Sequence, residues 1–246
     1  MAHFYLSDQV TPAGEGDLVL LTGDEGRHAA LVARLRVGER TRLGDGRGRV
    51  AEAEAVAVSK DAVELRVLEV RQEPPPSPRI LLVQALAKGG RDELAVQAAT
   101  ELGVTAVAPW QAARSVTRWS GQKAQSGAAR WAGIAREAGK QAMRAWAPEA
   151  LPLQSTKDVV ALARARFTVV LEPGVGRRLV DVVPAEVPGG ELALVVGPEG
   201  GIAPQELEAL TAAGAVLARL GPTVLRTSTA GPAALAALAI HLHLWP

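Results

Sequence analysis

The 246-residue chain has no cysteine, which excludes structural disulfides, zinc–thiolate sites, iron–sulfur clusters and cysteine nucleophiles. Aromatics make up 3% of residues against 48% hydrophobic overall, so Ala, Val and Leu must build the core. The four histidines, His3, His28, His241 and His243, show no metal-ligand spacing with acidic neighbours, and no bound metal is expected. No signal peptide opens the chain and no apolar run is long enough to span a bilayer. The expectation is a soluble cytoplasmic protein with no membrane partner. A formal net charge of +1 gives no lead to any partner.

That small net charge hides an uneven distribution. Residues 27–49 carry seven arginines against Glu39 and Asp45. Residues 110–146 carry seven lysines or arginines against Glu137 alone, together with four of the five tryptophans. Such stretches suit phosphate contacts and base stacking, and equally suit two solvated faces. On the nucleic-acid reading, Arg34, Arg36, Arg47 and Arg49 would grip phosphates from the first stretch. Arg114, Arg118, Arg130 and Arg144 would do so from the second. Trp119 and Trp131 would either stack on bases or fill the core.

Four prolines fall within residues 74–78, a composition that no helix or central strand tolerates. The segment 73–78 reads as a stiff linker between a small domain, 1–72, and a larger one, 79–246. In the small domain, residues 4–6 and 18–21 are short apolar runs, and 51–58 and 62–70 alternate as half-buried strands do. His28, Leu31, Val32 and Leu35 fall on one face of a predicted helix. Many strands with one helix suggest a small β-barrel.

The larger domain alternates strand and helix. Strands are predicted at 80–86, 104–108 (closed by Pro109), 168–171, 192–196 and 215–220. Helices are predicted at 92–102, 122–143, from a Ser155–Asp158 capping box to 166, at 204–213, and at 230–244. This pattern argues for an α/β fold with a parallel sheet, whose ligands bind at the carboxyl ends of the strands.

Three loops lie at such ends: 171–174, 197–201 and 220–227. Each contains glycine and proline, and glycine lets backbone approach a ligand closely. None is a P-loop, because no Gly-Lys-Ser/Thr follows, and none matches the dinucleotide fingerprint. A nucleoside cofactor held by backbone groups fits better, although three ordinary turns would also satisfy the pattern.

The combination Gly197-Pro198-Glu199-Gly200-Gly201, Leu220-Gly221-Pro222, Val224-Leu225-Arg226-Thr227 and Thr229-Ala230 resembles the signature of the ribosomal small-subunit RNA uridine N3-methyltransferase family, within the SPOUT superfamily. The similarity continues through Gln97, the run 100–104, Arg114-Ser115, Gln141, Arg144 and Pro148. In the first domain it covers His28, Val32, Arg34, Val37-Gly38 and Asp45-Gly46. Thr223, Ser228, Ala98, Met143 and His3 depart from the residues common in that family.

The resemblance implies a PUA-like β-barrel before a parallel-sheet SPOUT domain with a trefoil knot, and a homodimer. It also implies S-adenosylmethionine as cofactor, held around Leu171, Glu172, Val196, Gly197, Pro198, Gly200, Gly201, Leu220, Val224, Leu225 and Thr227. The implied substrate is one uridine of 16S rRNA, in the assembled 30S subunit. The composition agrees with this chemistry. C5 methylation of a pyrimidine usually needs a cysteine, whereas N3 methylation needs loss of a proton and in-line attack on the methyl group. Arg226 is the candidate cation favouring the uridine anion. Glu199 is the candidate proton acceptor, a loop brace, or a charge at a helix N-terminus. Two other readings remain open: a SPOUT ribose 2′-O-methyltransferase, and a non-catalytic RNA-binding assembly factor.

Overall fold

The computed structural model describes residues 3–245. The chain forms two compact units: residues up to Pro75 together with Gly139–Ala147, and Pro76–Ala138 together with the remainder from Pro148.

The first unit contains β1 (Phe4–Leu6), β2 (Leu18–Leu21), α1 (Gly23–Arg27), β3 (Arg40–Gly44), β4 (Arg49–Val58) and β5 (Val63–Gln72). They form one curled sheet in the order β1-β3-β4-β5-β2, antiparallel except for β1 against β3. Tyr5, Leu21, Leu43, Val63 and Leu65 point inward and are buried. Alanines 51, 53 and 55 on β4 provide the small inward side chains that a narrow barrel interior accepts. The buried ends of Lys140 and Glu25 pair at 2.8 Å beside this core. Burial and Glu25 together push the Tyr5 phenol up to about 12.

Two local readings of this unit need correction. The helix predicted through Leu35 is α1 followed by a wider π turn over His28–Val32, and Arg34 then takes a left-handed φ of 54°. The wider turn breaks the 3.6-residue period. Leu35 is therefore buried while Leu31 and Val32 are 52% and 69% exposed. β3 was not anticipated, because its sequence is dominated by arginines. Its register explains them: Arg40 faces Glu54 and Arg42 faces Glu52 across the strand pair, with N···O distances of 3.9 and 2.5 Å.

The second unit contains β6 (Arg79–Ala85), α2 (Arg91–Glu101), β7 (Ala106–Trp110), α3 (Gln122–Gln141), β8 (Glu149–Ala150), α4 (Thr156–Ala165), β9 (Phe167–Leu171), α5 (Leu179–Val182), β10 (Glu191–Val196), α6 (Pro204–Ala212), β11 (Val216–Ala218) and α7 (Thr227–His241). The last residues of α3 cluster with the first unit. The sheet order is β11-β9-β10-β6-β7-β8, and every pair is parallel. Both faces are covered, as a parallel sheet requires. Ile80 and Leu82 of β6 point into a layer with Leu194, Trp131 and Leu235. Leu81 and Val83 point into the opposite layer with Val195, Trp110 and Leu210. Trp119 and Trp131, 8% and 0% exposed, meet edge to face at 5.9 Å in the first layer, so they are core rather than base-stacking residues.

Pro109 does not close β7 but sits within it, opposite Gln84. The neighbouring strand β8 pairs only with Ala106 and Val107, so the ladder has ended on that side before a proline could interrupt it. Its carbonyl accepts the Gln154 N–H at 2.7 Å. The final helix starts at Thr227 rather than 230, because the Arg226 carbonyl accepts the N–H groups of Thr229 and Ala230. β11 is shorter than predicted, which leaves residues 219–226 as a loop. Among the described residues, no helix is long and apolar enough to cross a membrane.

Candidate functional site

In the second sheet, β6, β7 and β8 progress toward one edge, whereas β9 and β11 lie on the other side of β10. Open parallel sheets bind ligands at the carboxyl ends of the strands where that progression reverses. A cavity of about 530 Å³ opens there. Its walls are the three loops that follow β9, β10 and β11.

Each loop is held by a defined contact. Glu172 N–H donates to the Ala218 carbonyl at 2.9 Å, continuing the β9–β11 register by one residue. The loop after β10 turns through a bond from Gly201 N–H to the Pro198 carbonyl, also 2.9 Å, with Gly201 at φ +72°. A β-carbon on Gly197 would come within 2.6 Å of Ile202, so only glycine allows this turn to close on itself. The loop after β11 is tied back by Thr227. Its hydroxyl donates to the Gly197 carbonyl at 2.8 Å and accepts from Gln84 Nε2 at 2.8 Å. Gln84 and Thr227 are both buried. By contrast, among the described residues no hydrogen bond engages the backbone N–H groups of residues 220, 221, 223, 224 and 225. They border the cavity and are free to meet the edge of a bound base.

The residues singled out from the sequence separate clearly. Leu171, Glu172, Val196, Gly197, Pro198, Gly201, Leu220, Val224, Leu225 and Thr227 line the cavity, as do Glu199 and Arg226. Gly200 stands outside it, where a β-carbon would meet Arg114 Cβ at 3.4 Å. Thr227 is committed to holding two loops together. The Glu199 side chain is 22% exposed and accepts from Arg91 Nη1 at 3.1 Å and from Lys88 N–H at 3.3 Å. It therefore ties the 197–201 loop to the start of α2. Glu206, not Glu199, bonds the N-terminus of α6, through Ala203 N–H at 3.2 Å. The Arg226 guanidinium has no acidic partner among the described residues.

The arginines of the two basic stretches differ in availability. Arg49 donates to the carbonyls of Val10 and Ala13 at 2.9 and 2.5 Å, which occupies it structurally. Arg130 pairs with Glu93 at 2.7 Å, Arg118 donates to the Ala113 carbonyl at 2.6 Å, and Arg114 donates to that of Gly200 at 3.2 Å. Arg144 is half-buried, and desolvation lowers it to about 10. Arg34, Arg36 and Arg47 are exposed.

The sequence reading missed four residues that the geometry brings forward. Arg91 and Arg219 add two cations to the cavity wall. Gln84 holds Thr227 from the neighbouring strand. Glu206 is buried, and accepts from Ala113 N–H, the Thr156 hydroxyl and Ala203 N–H at 2.9, 2.6 and 3.2 Å. Glu206 has one local contact, to Ala203 three positions back, but its other partners, the Glu199 partner of Arg91 and the Thr227 partner of Gln84 lie 50 to 143 positions away, which no local pattern carries.

Fold and cavity together define a parallel-sheet protein with a cavity bounded by backbone loops at its strand ends, in a chain that also carries a unit with a curled, mainly antiparallel sheet. Residues 74–239 match the RNA methyltransferase domain family, and residues 21–68 match the RNA methyltransferase PUA domain family. A ribosomal RNA small subunit methyltransferase E from Mycobacterium bovis is 45% identical over 235 residues, covering 94% of this chain and 89% of the relative. The Bacillus subtilis protein of that name is 33% identical over 231 residues, covering 91% and 90%. A crystal structure of the Neisseria gonorrhoeae protein of that name, bound to S-adenosyl methionine, superposes with a TM-score of 0.86 at 28% identity. It covers 100% of this chain and 98% of its own. A Legionella pneumophila methyltransferase in complex with the same cofactor gives 0.83 at 29% identity, covering 97% and 96%. The chain belongs to the ribosomal RNA small subunit methyltransferase E family.

Proposed function

We propose that this chain transfers the methyl group of S-adenosylmethionine to N3 of one uridine in 16S rRNA, acting as a homodimer on the assembled 30S subunit. The observation that carries the reading is the cavity at the ends of β9, β10 and β11, with free backbone donors along one wall and an unpaired arginine, Arg226, at the next. The cavity suits the cofactor. Leu171, Val196, Ile202, Leu220 and Leu225 supply apolar surface for the adenine. A β-carbon on Gly221 would enter open space, so the bare backbone there leaves room for the ligand.

The bound cofactor supplies an electrophilic methyl group on a sulfonium. The protein's residues do the rest. The three loops orient that methyl group and exclude water from it. Arg226 favours the N3 anion of the target uridine and lowers its effective pKa. Glu199, already engaged by Arg91 and Lys88, braces the loop and holds Arg91 at the cavity edge. Arg34, Arg36 and Arg47 meet phosphates of the rRNA. The trefoil knot of the SPOUT superfamily would form where the 219–226 loop and α7 pass the loop after β10.

Transfer of labelled methyl from S-adenosylmethionine to unmethylated 30S subunits and to free rRNA tests this proposal. Label entering the RNA of the assembled subunit is the expected result. Absence of label from both substrates contradicts it and leaves an RNA-binding assembly factor.

A further inference from the structure

The charge lining the cavity is unbalanced for a cationic cofactor. Arg91, Arg219 and Arg226 face it, against Glu172 and Glu199. Arg91 and Glu199 neutralise each other at 3.1 Å. Arg226 is assigned above to the uridine anion, which leaves Arg219 and Glu172. Ala218 is the register partner of Leu171, so Arg219 and Glu172 are the next residues on two adjacent strand ends, and both line the cavity. They do not pair with each other. Glu172 accepts only a 3.3 Å bond from Gly174 N–H, and the Nε–H of Arg219 is buried with no acceptor. The Arg219 backbone is fixed on both sides, by its N–H to the Arg177 carbonyl at 2.8 Å and its carbonyl to Leu179 N–H at 2.9 Å. A cation and an anion are thus held side by side on rigid strand ends, unspent on one another.

From this we infer that Arg219 and Glu172 form a clamp for an amino-acid zwitterion: Arg219 takes the α-carboxylate of the cofactor's methionine end and Glu172 its α-ammonium. The inference rests on the proposed cofactor and adds what sets its orientation. Pinning the methionine end over β9 and β11 turns the adenine toward the free backbone donors of residues 220, 221 and 223–225. The α-carboxylate gives Arg219 the counter-charge it lacks among the described residues.

Calorimetry with three ligands tests it: S-adenosylmethionine, its decarboxylated analogue, and 5′-methylthioadenosine, which lacks the whole amino-acid end. The native protein should prefer S-adenosylmethionine to the decarboxylated analogue by about 10- to 100-fold, the range of a charge-assisted contact. Arg219→Ala should erase that preference without changing affinity for 5′-methylthioadenosine. Arg219→Gln, which keeps the side-chain length and a donor, should do the same and guards against a folding defect in the first variant. Glu172→Gln should weaken both amine-bearing ligands and leave 5′-methylthioadenosine untouched. Equal losses for all three ligands, or no loss for any, overturn the clamp. If the native protein binds no S-adenosylmethionine, the cofactor reading itself fails and the clamp with it.

Discussion

Arg226 and Glu199 sit on the same cavity but in opposite electrostatic conditions. Arg226 has no counter-charge, so its field is available to a developing anion, and a preorganised cation of this kind stabilises charge at little reorganisation cost. Arg226→Ala should lower kcat by about 100-fold or more while leaving S-adenosylmethionine affinity near the native value. Single-turnover kinetics with a parallel binding titration would show this, and equal losses in both would mean a structural role instead. Glu206 answers to stability. It is a buried carboxylate whose three donors come from the start of α4, the 111–113 segment and the start of α6. Glu206→Ala strands those donors and should destabilise the fold by about 2–4 kcal/mol, measured by urea unfolding. Neither Glu206 nor Gln84 can be recognised in the sequence. Their importance comes from partners that only the folded chain brings close, and a lone Glu or Gln reads locally as surface.

The elements divide by what fixes them. Where a backbone conformation demands a residue type, the sequence is readable. The Ser155–Asp158 box opens α4 as predicted, with both reciprocal bonds formed. The glycine–proline loops lie at strand ends because the buried apolar runs before them must stop there. Where side-chain chemistry follows from a neighbour, the sequence misleads, as in β3, whose arginines look like solvated helix and in fact face glutamates across the sheet. The early start of α7 has a related cause: a carbonyl cap leaves no side-chain signature. Two predictions belong at this scale. Gly201→Val places a branched side chain at φ +72° on the cavity wall and should abolish cofactor binding by calorimetry, with the fold retained by circular dichroism. The Ser155 hydrogen bonds hold the Asp158 carboxyl below its ordinary value. A depressed acid stabilises the fold above its unfolded pKa and loses that contribution as pH falls through the folded one. Asp158→Asn should therefore cost a little stability at neutral pH and progressively less as pH falls below the ordinary carboxylate range, a small difference because the group is exposed.

For the whole molecule, two compact units carry different tasks. The parallel sheet of the second positions the cavity, and the curled sheet of the first presents arginines of which only some remain uncommitted. Cross-strand glutamates and backbone carbonyls already occupy Arg40, Arg42 and Arg49. This explains why a raw count of basic residues overstates the electrostatic footprint. With three arginines left for phosphates, binding to the small subunit should show a log–log salt slope near about −3, and each of Arg34→Ala, Arg36→Ala and Arg47→Ala should reduce it by about one. A salt-independent affinity would count against these contacts.

The central claim concerns which atom receives the methyl group. Nucleoside mass spectrometry of 16S rRNA from unmethylated 30S subunits, incubated with the protein and S-adenosylmethionine, measures that directly. The account predicts 3-methyluridine at one position, formed at least about 100-fold more slowly when Arg226→Ala is used. A 2′-O-methylated nucleoside, or unmodified uridine with the native protein, would contradict it.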